Sequence, residues 1–205
     1  MIFVGLQPEP STFHALVREP GQLALAAHVG PITNSNFWKN KNFWRHCKKD
    51  LHSSYNGICA YLGIFLHENV HINNSSVEHF LPKSLFPASA YEWNNYRLVS
   101  VFVNNKRNNA LEILDPFHIT DDTFKVSLNT GIVKPSPELP ACEQKKVTDT
   151  ICALNINHET LCNYRKDIYE RYITKPEDGI QNPDALLDEA PFVWLEAVHQ
   201  AKFTI

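Results

Sequence analysis

Glu78 and His79 are adjacent in "SSVEHFLPKS", residues 75–84. Asn95 lies in "WNNYRL", and Asn104 follows nine residues later in "VNNKRNN". A carboxylate, an imidazole and two amides in that order can carry phosphodiester hydrolysis, which needs few parts. A base deprotonates water, a divalent cation neutralises charge on the phosphate and the leaving oxygen, and a further group orients the base. Carboxylate and amide oxygens are hard ligands of the kind Mg²⁺ takes. An imidazole beside them can be the base, its tautomer fixed by a backbone group of a neighbouring strand.

These residues belong to a unit that reads strand, long loop, strand, helix over residues 76–112. "SVEHF" is a short strand stopped by Pro82, "NYRLVSV" is an apolar-biased strand, and "VNNKRNNALEIL" is a helix with Asn104 as its N-cap. Upstream, over residues 37–66, Phe37, Trp44, Cys47, Leu51, Tyr55, Ile58 and Leu62 repeat at intervals of three, four and seven and predict one helical face. Gly57 weakens that helix near its end. Residues 1–36 carry the turn signals "LQPEP", "REPG" and "HVGP" and predict an irregular arm with one short helix at most. "HENVHINNSS" reads as a polar loop that leaves His67 and His71 in solvent.

Residues 120–205 read as a hairpin followed by helices. In "TFKVSLNTGIVKP", Phe124, Val126 and Leu128 alternate and Thr130-Gly131 makes the turn. Val147, Ile151 and Leu154 share one helical register, as do Leu161, Ile168 and Tyr172. "NPDALLDEA" opens with Asn182 as cap and Pro183 at the first helical position, and "PFVWLEAVHQAKF" closes the chain as a further helix. No repeat and no linker is visible, so the expectation is one domain over residues 1–205.

The stretch "VEHFLPKS…YEWNNYRLVSVFVNNKRNN" resembles the HNH, or ββα-metal, endonuclease motif. The resemblance implies an α+β fold, a ββα-metal core embedded in a mainly helical shell. It implies that Glu78 is the acidic metal ligand, His79 the general base, Asn95 the residue that steadies the catalytic loop and Asn104 the helix metal ligand. Asn108, one turn beyond Asn104, is the second choice of ligand. The cofactor would be Mg²⁺ or Mn²⁺. More narrowly, "ICAYLG…VEHFLPKS…YEWNNYRLVSVFVNNKRNNALEILDPFHI" resembles PtuB-type HNH effectors of Septu and retron-associated anti-phage systems, over most of residues 37–175. That implies a toxic nuclease effector with a PtuA-like ATPase partner and, in a retron complex, a reverse transcriptase with its RNA–DNA product. DNA is the default substrate; RNA such as tRNA offers the same phosphodiester. Many HNH proteins hold structural zinc with two cysteine pairs. Here those positions are Cys59 with Leu62 and Ser100 with Val103, so apolar packing is expected in place of zinc. The rival readings are a catalytically silent HNH-fold adaptor that recruits a defence complex, and a zinc-binding module without catalysis.

Basic residues gather in two places. Arg97, Lys106 and Arg107 surround the motif, and Lys83 follows it after the proline; all four are candidate nucleic-acid contacts. Lys39, Lys41, Arg45, Lys48 and Lys49 form a second cluster with no acid among them, a partner surface, a nucleic-acid surface or a solvated face. Trp38 and Trp44 within it are expected in the core. The chain as a whole has net charge −3, so its overall field does not attract nucleic acid and binding depends on such local patches. His118 is expected to be structural. With 43% hydrophobic and 20% charged residues the composition is globular. No apolar run is long enough for a membrane span and no secretion signal is visible, which points to the cytoplasm. The five cysteines are odd in number and form no CxxC, so neither a disulfide framework nor a zinc knuckle is indicated. Cys152 and Cys162 fall in an apolar-periodic region and are expected to be buried thiols.

Overall fold

In the computed structural model, which describes residues 1–30, 32, 35–67, 74–107, 110–177 and 179–203, helices surround two small antiparallel sheets. The fold is α+β. Residues 1–10 have no regular structure but are strapped to the body: Val4 N–H donates to the Pro116 carbonyl (2.9 Å) and Trp93 Nε1–H to the Gln7 carbonyl (2.8 Å). A π-helical turn, His14–Arg18, runs on into α1, Glu19–Ala26. The arm is therefore more helical than its turn signals predict. Its apolar residues Phe13 and Val17 are buried, and Phe13 packs edge-on against Trp93 and Tyr96. Burial against the body outweighs the local Pro and Gly signals.

After α2, Ser35–Lys39, a 3₁₀ turn over Phe43–Cys47 leads into α3, Lys48–Ser54. The apolar spacing predicts one helix to residue 66, but the helix stops earlier. Asn56 and Gly57 both adopt left-handed backbone, φ 50° and 69°, which ends the helix. Residues 58–65 then double back through a bridge between Ile58 and Phe65. Phe37, Trp44, Cys47, Leu51 and Tyr55 still pack inward, so the apolar positions are the core positions although the helix between them is broken.

β1, Ser75–His79, pairs antiparallel with β2, Tyr96–Ser100, in the register Ser75↔Ser100, Glu78↔Arg97 and His79↔Tyr96. Every residue of β2 is buried. The Ala60 N–H donates to the Leu98 carbonyl (2.8 Å) and so anchors the doubled-back segment to β2. The chain passes directly from β2 into α4, Val101–Arg107. That helix begins three residues before the expected cap. Asn104 is thus a mid-helix residue and not an N-cap, and residues 111–114 lie outside the helix.

β3, Phe124–Val126, and β4, Val133–Pro135, form the expected hairpin. Its turn needs Gly131: φ is 67°, and a Cβ there would lie 1.9 Å from the Cys162 carbonyl oxygen. Four helices follow: α5, Ala141–Ala153; α6, Glu159–Tyr169; α7, Pro183–Glu189; and α8, Pro191–His199. Asn182 caps α7 by accepting from the Ala185 N–H (3.1 Å), with Pro183 at the first position. The buried Arg165 on α6 donates to the Gly131 and Ile156 carbonyls and so ties hairpin to helices. One hydrophobic cluster runs from Met1 to Ala197. All five cysteines are free; Cys152 is exposed rather than buried, because it lies off the Val147–Ile151–Leu154 face. Among the described residues no helix is long and apolar enough to cross a membrane.

Candidate nuclease site

Side chains alternate across β1, so Ser76 and Glu78 share one face and Val77 and His79 the other. α4 lies against the first face. Asn104 and Arg107, one turn apart, reach Ser76 and Glu78 respectively. The Asn104 Nδ2–H donates to Ser76 Oγ (2.9 Å), and among the described residues no donor meets the amide oxygen Oδ1. The Arg107 guanidinium pairs with the Glu78 carboxylate. It also donates to the His79 carbonyl (2.9 Å), the Phe80 carbonyl and the Ala110 carbonyl (3.2 Å). Arg107, only 2% exposed, thus fastens the end of β1 to the end of α4.

His79 is buried on the opposite face of the strand. Its Nε2 lies 3.0 Å from the Ala90 carbonyl oxygen. A carbonyl only accepts, so Nε2 carries the hydrogen and Nδ1 holds the lone pair. Trp44 and Tyr96 pack edge-on against the ring at 4.8 and 5.1 Å, and the Tyr96 hydroxyl donates to the same Ala90 carbonyl (2.8 Å). Burial, and next the charge of Lys83, push the imidazole pKa down to about 3, against the smaller upward effect of the Ala90 bond. The ring is neutral at ordinary pH, with a lone pair on Nδ1, and burial makes that nitrogen a weak base.

Asn95 holds the loop between the strands. Its Oδ1 accepts from the Leu81 N–H (2.7 Å), and its Nδ2 donates to the carbonyls of Leu81 (3.1 Å) and Ser89 (2.9 Å). Its own carbonyl accepts from the Phe80 N–H (2.9 Å). Those four bonds tie down Phe80, Leu81 and Ser89, the last of them next to His79's carbonyl partner Ala90. Asn95 is a positioning residue; its side chain bonds the loop and not the imidazole.

No protein-family model matches this chain, and no curated protein matches it. The site therefore rests on its own geometry.

A hard cation would find two oxygen donors here, a Glu78 carboxylate oxygen and Asn104 Oδ1. Among the described residues no group of three His, Cys, Asp or Glu side chains could hold a metal. Two protein oxygens suit Mg²⁺, which keeps most of its water and takes further oxygens from phosphate, and they do not suit zinc. Asn108, the alternative ligand, lies outside the described residues, as does His71. Of the four positions expected to replace a zinc knuckle, Cys59 is in contact with both Leu62 and Ser100. Cys59, Leu62, Ser100 and Val103 are all buried, and Cys59 Sγ accepts from the Ser100 N–H (3.3 Å). They offer a single thiol, which burial holds protonated.

Two of the four basic residues expected to meet nucleic acid are not free to do so. Arg97 is buried in a bidentate pair with Asp115 (2.9 and 2.6 Å), donates to the Asn94 and Tyr96 carbonyls, and lies 3.4 Å over the Phe117 ring. Arg107 is committed as described above. Both are internal braces because each sits on a buried face of its element, where a guanidinium must find carboxylates and carbonyls. Lys106 points to solvent, and Lys83 is half-buried beside His79. In the second basic cluster Lys39, Arg45 and Lys49 are exposed and Lys41 and Lys48 half-buried. The cluster is fixed beside the site: Trp44 touches His79, and the Lys41 carbonyl accepts from the Tyr91 hydroxyl (2.8 Å). Trp38 is buried and Trp44 partly so, in the core as expected. His118 is exposed, its Nδ1 3.3 Å from Asp115, and His67 is exposed.

Sequence reasoning missed Ser76, Ala90 and Trp44. Ser76 was reachable, since it lies two residues before Glu78 on the same strand face. The contacts of His79 with Trp44 and Ala90 are long-range and leave no local period.

Proposed function

We propose that this chain is a metal-dependent HNH-type endonuclease that hydrolyses phosphodiester bonds. The observation that carries the reading is the tautomer of His79: with Nε2–H held by the Ala90 carbonyl, Nδ1 is left as the proton acceptor. His79 Nδ1 takes a proton from water, the water oxygen attacks phosphorus, and the bond from phosphorus to the 3′ oxygen breaks. Glu78 and Asn104 Oδ1 would hold Mg²⁺ or Mn²⁺, which supplies charge neutralisation at the phosphate and the leaving oxygen. Asn95 and Arg107 keep the loop and the strand end in place. DNA is the default substrate and RNA, tRNA included, the alternative. The role as toxic effector of an anti-phage system, under control of an ATPase partner and in a retron context alongside a reverse transcriptase, rests on the sequence resemblance.

One observation favours a second reading, a catalytically silent adaptor of the same fold. A guanidinium already sits on the Glu78 carboxylate, and its charge opposes a metal at the same oxygens. Cleavage assays on DNA and total RNA with Mg²⁺ or Mn²⁺, with the chain alone and with its ATPase partner, separate the two. An enzyme cuts in at least one arm and an adaptor in none.

A further inference from the structure

Lys83 is a half-buried cation with no carboxylate to answer it. The turn that begins at Pro82 carries it back toward β1, where the Leu85 and Phe86 N–H groups both donate to the Pro82 carbonyl. Its Nζ lies 5.0 Å from the Trp44 ring centroid and 6.0 Å from that of Trp38. Trp44 in turn packs on His79. Burial pulls the ammonium pKa down, and no acidic group raises it. The buried or half-buried arginines of residues 1–107 are neutralised, Arg18 by Glu9 and Glu92, Arg97 by Asp115 and Arg107 by Glu78, whereas the half-buried Lys41 and Lys48 form no ion pair among the described residues. Among the described residues Lys83 has no such partner. Two aromatic faces recover part of the lost hydration but carry no net charge. In the same aromatic cluster the Trp38 Nε1–H is buried and, among the described residues, has no acceptor. An ammonium with no carboxylate partner, seated on the ring that packs against the proposed base, is what an oxyanion satisfies.

We infer that Lys83, seated on Trp44 and Trp38, is the phosphodiester-binding residue of the site, its ammonium receiving a non-bridging phosphate oxygen beside His79. The inference rests on the nuclease reading and adds the group that seats the substrate. A charge-assisted bond here acts on binding before chemistry, so its loss weakens affinity independently of metal. The substrate's anion also offsets the ammonium where it disfavours protonation of His79.

The test is binding without turnover. In EDTA, the indole N–H resonances of Trp38 and Trp44 are followed by NMR while thymidylyl-thymidine, uridylyl-uridine or inorganic phosphate is added. Both indoles are expected to shift with at least one dinucleotide. Lys83→Gln should weaken that binding roughly tenfold or more, the worth of a hydrogen bond to a charged group, and Lys83→Arg should largely restore it. Thermal melting confirms that each variant is folded. Indoles that ignore both dinucleotides, shifts seen with inorganic phosphate alone, or dinucleotide binding unchanged in Lys83→Gln would overturn the assignment. A chain that binds a dinucleotide through Lys83 yet cuts nothing supports this site and counts against the nuclease reading alone.

Discussion

Arg107 places its guanidinium on the carboxylate of Glu78 across the β1–α4 interface, although the strand register puts Arg97 directly opposite Glu78. The two opposite charges that the register sets face to face are not paired; Arg97 turns away to Asp115. Each buried charge thereby has one partner, and the end of β1 that carries His79 is clamped from the helix side.

Breaking that pair is costly because either partner is left as an uncompensated buried charge. Arg107→Ala should destabilise the protein by about 3–5 kcal/mol, measured by urea unfolding. The double variant Glu78→Gln, Arg107→Gln should cost less than the sum of the singles. Additive effects would show that the two groups do not interact in solution.

The acid limb of stability should depend on His79. Its pKa falls from 6.5 in the unfolded chain to about 3 in the folded one. Between those values the unfolded chain binds a proton that the folded chain refuses, so stability falls as pH drops through that window. The slope attributable to this group is up to about 1.4 kcal/mol per pH unit. His79→Gln, which cannot titrate, should flatten the pH 6.5 to 3 limb by that amount relative to wild type. An unchanged limb would mean that the imidazole is not held neutral.

Asn95→Ala removes three side-chain hydrogen bonds to the backbone of the 81–89 loop. The expected loss is about 2–3 kcal/mol, with faster amide exchange at Leu81. Cleavage should fall while metal binding stays the same, because Asn95 positions the loop that offers the Ala90 carbonyl to His79. Unchanged exchange at Leu81 would contradict that role.

The basic cluster over residues 39–49 adjoins the site through Trp44. Reversing Lys41, Arg45 and Lys48 to Glu should weaken binding of either the proposed PtuA-like ATPase or the nucleic acid, with the melting temperature little changed. A pull-down and a cleavage assay on the same triple variant read both. Wild-type behaviour in both would make this stretch a solvated face only.

The strand–loop–strand–helix order was legible because Pro82, the apolar-biased stretch 96–101 and the polar residues of α4 each act locally. The break at Asn56-Gly57 was not, since apolar spacing continues through it and only the folded chain reveals that residues 58–65 return to meet β2. The polar residues of the site were legible as a set, but their partners were less so. Three-residue spacing from Asn104 puts Arg107 on the strand-facing side of α4, a signal as strong as the one that singled out Asn108. Charge alone does not reveal whether an arginine will meet a phosphate or a carboxylate; burial decides, and burial of Arg97 and Arg107 follows from the packing of both strand faces. The setting of Lys83 depends on the 3₁₀ turn at residues 43–47 coming to rest on His79, a contact far apart in sequence.

The central claim is that His79 is the base of a phosphodiester hydrolase. It is tested most directly by single-turnover cleavage of DNA and of total RNA in Mg²⁺ or Mn²⁺, comparing wild type with His79→Ala, alone and with the proposed PtuA-like ATPase. Wild-type cleavage that drops by about 10²–10⁴-fold in the variant, with the variant still folded by circular dichroism, is the predicted result. Cleavage by His79→Ala at the wild-type rate, or none by the wild type on either substrate, would contradict the account.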